Sequence, residues 1–438
     1  MNKSKKLDFF SANYMRDFHC IGQACGEGNC CHGWQITIDE SSFKKFKKIM
    51  EKTSEGREIF KGRIKKNRSN IKGEQSFASF VMNQKTGYCQ FFDEQGLCEI
   101  HGNYGEEYLC NTCRAYPRKL NLFLDRQEYS GVLSCPEVAR LCLLQKDSTD
   151  MQSADLQSFD LNGLYDSNTT KNPHSAYASY IHDIRNILNQ FLSISDLPLS
   201  SRLFFICYLA NRTAPFFNSG GQFTEEQLGI EVDRITTPEI LGELHQGYQG
   251  LETDLQVPLQ LIDAILTSKG QGSLPPALFQ SVIETYGLAE IGQDSNSDND
   301  ISKILSLYAL RRNKLQQRFN EKLDLVFTNF CKHHISSCPY TESTNLLLAM
   351  QALLARTTTA AFFLYSHTRL DPLIAEGAPG VTQEEAEKIL DDVIVEVFYR
   401  FSRTLEHDKN IWDKVFCDTD KANLATFALL TQLLKFMD

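Results

Sequence analysis

The sequence predicts a mainly α-helical protein in two parts, an irregular cysteine-rich N-terminal lobe that binds metal and a helical C-terminal lobe. Three observations predict it. Ten of the fourteen cysteines lie between Cys20 and Cys142. Beyond residue 175, apolar residues recur at helical spacing through nearly all of the chain. Between these regions, residues 147–172 are rich in Asp, Ser, Asn and Thr with little periodic hydrophobicity, the composition of a linker. A length of 438 residues is two or three times that of a usual domain. The expected division is a cysteine-cluster domain over 1–146, a linker over 147–175 and a helical domain over 176–438.

In the N-terminal lobe the pattern predicts a short strand over 34–38, a basic helix from Ser42 to about Lys66, and then loops that carry cysteines. The basic runs at 44–48 and 61–72 read as solvated helix faces. Such a lobe has little apolar core of its own, and metal ligation supplies folding free energy that a small core lacks. Residues 1–150 hold 23 Lys and Arg against 19 Asp and Glu, about +4, and the remainder carries about −14. A net acidic chain argues against broad nucleic-acid binding. No window of the roughly 20 apolar residues that a membrane span needs is expected, and residues 1–20 lack the apolar core of a secretion signal. The expected compartment is therefore the cytoplasm, without membrane insertion.

The C-terminal lobe is justified helix by helix. Thr382 and Glu385 form a capping box, and Ile389, Leu390, Val393, Ile394, Val397, Phe398 and Phe401 follow at helical spacing. Similar periodicity covers 177–191, 202–217, 255–266, 301–330, 345–365 and 424–436. Pro198, Pro215, Pro258, Pro339 and Pro372 stand near the ends of these stretches. The polar stretch 292–300 (GQDSNSDND) reads as a mobile loop. There is no repeat of fixed period and no glycine-rich phosphate loop.

The chemistry is carried by the cysteines. They come as Cys20, Cys25, Cys30 and Cys31, then Cys89 and Cys98, then Cys110 and Cys113, and finally Cys135. In a reducing compartment, clustered thiols are metal ligands more often than disulfides. Thiolates are soft donors, so zinc and iron-sulfur clusters are the candidates. Zinc wants four ligands in compact knuckles, which the x4 gaps and the Cys110–Cys113 pair can meet. The vicinal Cys30–Cys31 pair and the scatter over several loops suit a cluster better. Nine thiols exceed the four of one cluster, leaving reserve thiols or a second metal. Cys207, Cys331, Cys338 and Cys417 read as ordinary packing residues, and His32 and His101 as solvent-facing loop residues beside the cysteines.

Residues 18–34 (FHCIGQACGEGNCCHGW), 88–100 (YCQFFDEQGLCEI), 109–118 (LCNTCRAYPR) and 133–139 (LSCPEVA) resemble the successive signatures of flagellin lysine-N-methylases. The resemblance covers residues 7–145 by motif. It implies a bacterial cytoplasmic enzyme that carries a [4Fe-4S] cluster and transfers methyl groups from S-adenosylmethionine to lysines of its partner flagellin. The Cys-x3-Cys-x2-Cys loop of radical enzymes is absent. Polar methyl transfer needs only positioning and desolvation, which leaves the cluster a structural role.

The attacking amine must be neutral although free lysine has a pKa near 10.4, so a tyrosine-lined, partly dry channel would serve. Tyr88, Tyr104, Tyr108, Tyr116 and Tyr129 lie in the cysteine region as candidates for such a channel or for ordinary packing. Arg114 and Arg118 are candidates to hold the carboxylate of the methyl donor, since guanidinium forks match carboxylates. No residue stands out as a general base. Two rival readings are a non-enzymatic zinc or iron-sulfur adaptor and an electron carrier.

Overall fold

A computed structural model describes residues 7–67, 76–123, 125–159, 166–168, 179–218, 224–268, 276–287, 297–337, 346–375, 381–407 and 427–438. Cys338, Cys417, Pro339 and residues 292–296 of the expected loop lie outside them. The chain forms two compact units, 1–141 with 150–168, and 142–149 with 169–438. Of the stretch 147–175, residues 151–153 and 166–168 are strands of the first unit.

The first unit runs β1 (Asp8–Ala12), α1 (Asn13–Arg16), β2 (Thr37–Ile38), α2 (Glu40–Met50), α3 (Ser54–Arg63), β3 (Ile64–Lys66), β4 (Ala78–Phe80), α4 (Glu99–Tyr104), α5 (Asn111–Ala115), β5 (Arg118–Leu122), β6 (Arg126–Gly131), α6 (Pro136–Leu144), β7 (Met151–Ser153) and β8 (Asp166–Asn168). The unit division falls within α6. Five strands form a mixed sheet in the order β7-β1-β6-β5-β8, with β1–β6 and β5–β8 parallel. The other three form an antiparallel sheet in the order β2-β4-β3.

The sequence reading missed the larger sheet. Its strands are short, and β5 and β6 bury Asn121, Glu128 and Ser130 where alternation expects apolar side chains. Glu128 is tolerated because Arg126 Nε meets its carboxylate at 2.8 Å.

The expected basic helix over 42–66 is two helices and a strand. The Asp39 side chain caps α2 by accepting from Ser42 N, and Thr53 caps α3 by accepting from Gly56 N. Gly56 lets α3 start hard against the end of α2, since a Cβ there would lie 2.0 Å from the Met50 carbonyl oxygen. Ile64, Lys65 and Lys66 then pair with β4 instead of continuing the helix. Likewise, only Thr37–Ile38 of the expected 34–38 strand is a strand.

The second unit is helical, as expected for this lobe: α7 (Ile181–Leu192), α8 (Leu199–Asn218), α9 (Glu225–Ile235), α10 (Pro238–Gln249), α11 (Gln256–Ser268), α12 (Pro276–Tyr286), α13 (Ser297–Ser337), α14 (Leu346–Tyr365), α15 (Asp371–Ile374), α16 (Gln383–Phe401) and α17 (Phe427–Met437). The Thr382–Glu385 capping box is formed. A second box, Thr224 with Gln227, starts α9. Pro215 lies inside α8 in its last turn, near the end as expected.

The expectation that no stretch is long and apolar enough to cross a membrane needs correction: Leu346–Tyr365 is, by length and composition. Its most apolar window is 78% buried within the protein. Packed against α8, α13, α16 and α17, it is the central core helix of this unit. Its threonines enter the core because their hydroxyls return to the helix, Thr357 donating to Leu353 O (2.8 Å) and Thr359 to Ala355 O (2.7 Å).

Candidate functional site

The cysteines of the first unit are set by loop geometry and short helices. Cys25 rides on a 3-10 turn (Gly22–Gly28) whose Gly22 and Gly26 adopt φ of +56° and +53°, a region that favours glycine. Asn29 Oδ1 accepts from Cys31 N at 2.8 Å, and the Cys30 carbonyl accepts from Trp34 Nε1 at 2.7 Å, which fixes the vicinal pair. The Cys31 carbonyl accepts from Cys89 N at 2.8 Å, so two sequence-distant cysteines share a backbone contact. Cys98 and Cys110 stand at the N-caps of α4 and α5, and Cys135 directly precedes α6. Asp39 ties α5 to α2, its carboxylate accepting from Asn111 N (3.1 Å) and Ser42 N (2.8 Å). Burial opposes the charge on Asp39, yet these bonds and one from Ser41 hold its carboxyl below the usual range.

Thiols from four chain segments influence one another. Cys30 bonds the Cys31 thiol, which this bond and burial push far up. The hydrogen bond between the Cys110 and Cys113 thiols holds Cys110 below the ordinary thiol value and, with burial, pushes Cys113 well above it. Burial raises Cys98, and raises Cys89 to about 12 and Cys135 to about 11. Cys30 adds like-charge repulsion at Cys31, Cys98, Cys113 and Cys135, and Cys20 adds it at Cys135.

A soft cation relieves such repulsion, so the donor chemistry suits zinc or iron. Among the described residues, however, no group of three or more His, Cys, Asp or Glu side chains is arranged to hold a metal ion.

The candidate tyrosines pack with different partners. Tyr88 stacks on Phe92 (4.6 Å between centroids) and contacts His32 (4.5 Å), whereas Tyr104 meets Tyr108 at 5.9 Å. Tyr116 meets Trp34 at 5.5 Å and its hydroxyl lies 3.1 Å from Ser134 Oγ, while Tyr129 is buried against Phe9 and Phe159. His32 is partly buried beside Gly87, not fully solvated as expected, and His101 is exposed on α4. Both candidate arginines engage the backbone: Arg114 Nη2 donates to Glu106 O (3.2 Å) and Arg118 Nη1 to Arg114 O (3.2 Å). Arg114 Nε is buried without a partner.

The second unit holds a cavity of about 890 Å3 that the sequence reading did not find. It is bounded by the loop between α7 and α8 and by side chains of α13, α14 and α17. Carboxylates at positions 196, 321, 324 and 438 come together here from three separated stretches. No sequence motif joins them, and only the pronounced acidity of the C-terminal region hinted at such a place.

Comparison with known proteins adds a family. Residues 185–433 match the FliB lysine N-methylase C-terminal domain. The chain is 31% identical over 147 residues to the flagellar biosynthetic protein FliU of Salmonella muenchen, a match covering 33% of this chain and 82% of that protein. It is also 31% identical over 147 residues to the lysine-N-methylases of Salmonella choleraesuis and Salmonella typhimurium, covering 33% of this chain and 34% of each of them. The chain thus aligns with about a third of the length of these two relatives. No solved structure matches it.

Proposed function

Because the chain belongs to the FliB lysine N-methylase family, we propose that it is a protein-lysine N-methyltransferase that transfers methyl from S-adenosylmethionine to lysine side chains of flagellin in the cytoplasm. The observation that carries this reading is the family match over residues 185–433, which spans nearly all of the helical unit. The names lysine-N-methylase and flagellar biosynthetic protein, borne by relatives, support the reaction type and a flagellar substrate.

The transfer needs a neutral amine in line with the sulfonium methyl. The N–C bond forms as the S–C bond breaks, and the sulfonium becomes a neutral thioether. Catalysis then consists of positioning, exclusion of water and removal of the ammonium proton. Arg114, with its orphaned Nε, and Arg118 are the proposed contacts of the donor carboxylate. A [4Fe-4S] cluster held among Cys20, Cys25, Cys30, Cys31, Cys89, Cys98, Cys110, Cys113 and Cys135 would supply a rigid core to the first unit. That proposal rests on donor chemistry and mutual thiol influence, not on a preformed ligand set.

The test mixes anaerobically purified protein with flagellin and S-adenosylmethionine and reads intact flagellin mass. Increments of about 14 Da per methyl are expected. Unmodified flagellin in the presence of bound donor overturns the substrate, and absence of donor binding overturns the reaction. Iron, zinc and acid-labile sulfide assays on the same sample decide the metal, a colourless zinc protein removing the cluster.

A further inference from the structure

The cavity of the second unit is lined by exposed carboxylates and by buried apolar side chains. Asp196, Glu321 and Asp438 line it as exposed residues. Leu323, Phe327, Ala361 and Tyr365 line it as residues 6% exposed or less. Asp324 lies between these extremes; its carboxylate is already engaged by the buried Arg202, and that of Asp438 accepts from the Tyr248 hydroxyl at 2.6 Å. The Ser200 hydroxyl, on a residue 4% exposed, also lines the cavity beside the Tyr248 hydroxyl, to which it bonds. Lys435 is the cation of the lining, and it is occupied over the Tyr248 ring at 4.5 Å with its ammonium donating to Gln249 O.

Resting on the methyltransferase reading, we propose that this cavity takes the lysine side chain of the protein substrate. A lysine is an apolar four-carbon stem with a cationic tip, and it asks for two different surroundings. Carboxylates at the mouth attract the ammonium while it is charged, and focus that attraction in a concave acidic wall. A floor of Phe327, Ala361, Leu323 and Tyr365 packs the stem and disfavours the charged tip, since desolvation lowers an amine's pKa. The ammonium passes its proton to water at the mouth and arrives on the floor as the neutral nucleophile that methyl transfer requires. The Ser200 hydroxyl supplies a hydrogen-bond partner there. A volume of about 890 Å3 admits the side chain with flanking backbone, within the usual range of ligand sites.

The test uses the full chain and two fluorescein-labelled nonapeptides, alike except for a central lysine or norleucine, with anisotropy as the readout. The lysine peptide is expected to bind about tenfold more tightly than the norleucine peptide. In the double variant Asp196→Asn/Glu321→Gln, two exposed positions whose replacement leaves the helical ellipticity unchanged, that preference falls to about twofold or less while S-adenosylmethionine binding is unchanged. Equal binding of both peptides, or a preference that survives in the variant, overturns the proposal. So does loss of S-adenosylmethionine affinity with peptide binding intact, which would make the cavity the donor site. Selective lysine binding by a chain that methylates nothing would instead retire the methyltransferase reading and leave the cavity assignment standing.

Discussion

At the scale of single residues, Cys30 acts on thiols of the three other cysteine segments, through Cys98, Cys113 and Cys135. Replacing it is expected to disturb metal loading more than replacing Cys25 on the neighbouring 3-10 turn. Cys30→Ser should lower bound metal per chain by roughly half or more, and Cys25→Ser by less, by elemental analysis of anaerobically prepared protein. Equal losses would overturn that order.

A different residue-scale effect sits in the second unit, where His334 Nε2 meets Glu406 Oε1 at 2.7 Å. Burial raises the Glu406 pKa, but the imidazole beside it and a bond from Ser402 prevail and hold it at about 2, below its ordinary 4.5. A depressed carboxylate contributes stability that is present above pH 4.5 and lost as pH falls toward 2. The denaturation midpoint of the wild type should therefore drop over that window, and that of Glu406→Gln should drop less. His334→Ala removes the imidazole from the carboxylate, leaving it the Ser402 bond, and is expected to cost about 3–5 kcal/mol near neutral pH in the same measurement.

At the scale of elements, the junction of α2 and α3 turns on one missing side chain. Gly56→Ala sets a Cβ against the Met50 carbonyl, so α3 must shift away from α2. The expected loss is about 1–3 kcal/mol in chemical denaturation, whereas Gly62→Ala, with nothing within 4 Å of its Cβ, should cost nothing and gain helix propensity. The central helix α14 makes the complementary point. Its composition alone would pass for a membrane span, and its surroundings make it a core. Phe362→Ala on it should cost about 3–5 kcal/mol, by the lost burial and the cavity left behind.

At the scale of the whole molecule, the two units each bury an apolar interior of their own. The second buries a continuous apolar interior, with arginines such as Arg311 joining its helices: Nε donates to Tyr365 O at 2.6 Å, and Nη1 meets Asp371 at 2.6 Å. The first carries its short strands and helices around a cluster of phenylalanines and thiols. On the proposed metal site, chelation is expected to lower the protease resistance of residues 1–141 while most of the far-ultraviolet helical ellipticity remains, measured before and after treatment. A parallel loss of all helical signal would show that metal supports both units.

Helical periodicity was strong enough in the sequence to place seven helices of the second unit, because long amphipathic helices repeat one rule many times. It was too weak for α9, α10 and α12, whose apolar faces are narrow or short. The clustering of the cysteines was equally visible, since residue type and spacing are read directly from the chain. The mixed sheet was not, because its strands bury polar groups whose partners lie far along the chain, as Glu128 and Asn121 show. Nor was the acidic cavity, whose carboxylates come from positions 196, 321, 324 and 438. By itself the sequence determined the elements that follow from local pattern and the chemistry that follows from composition. Which distant side chains share a wall, and which apolar helix becomes a core, was decided only by tertiary packing, because burial and proximity belong to the folded chain and to no local stretch of it.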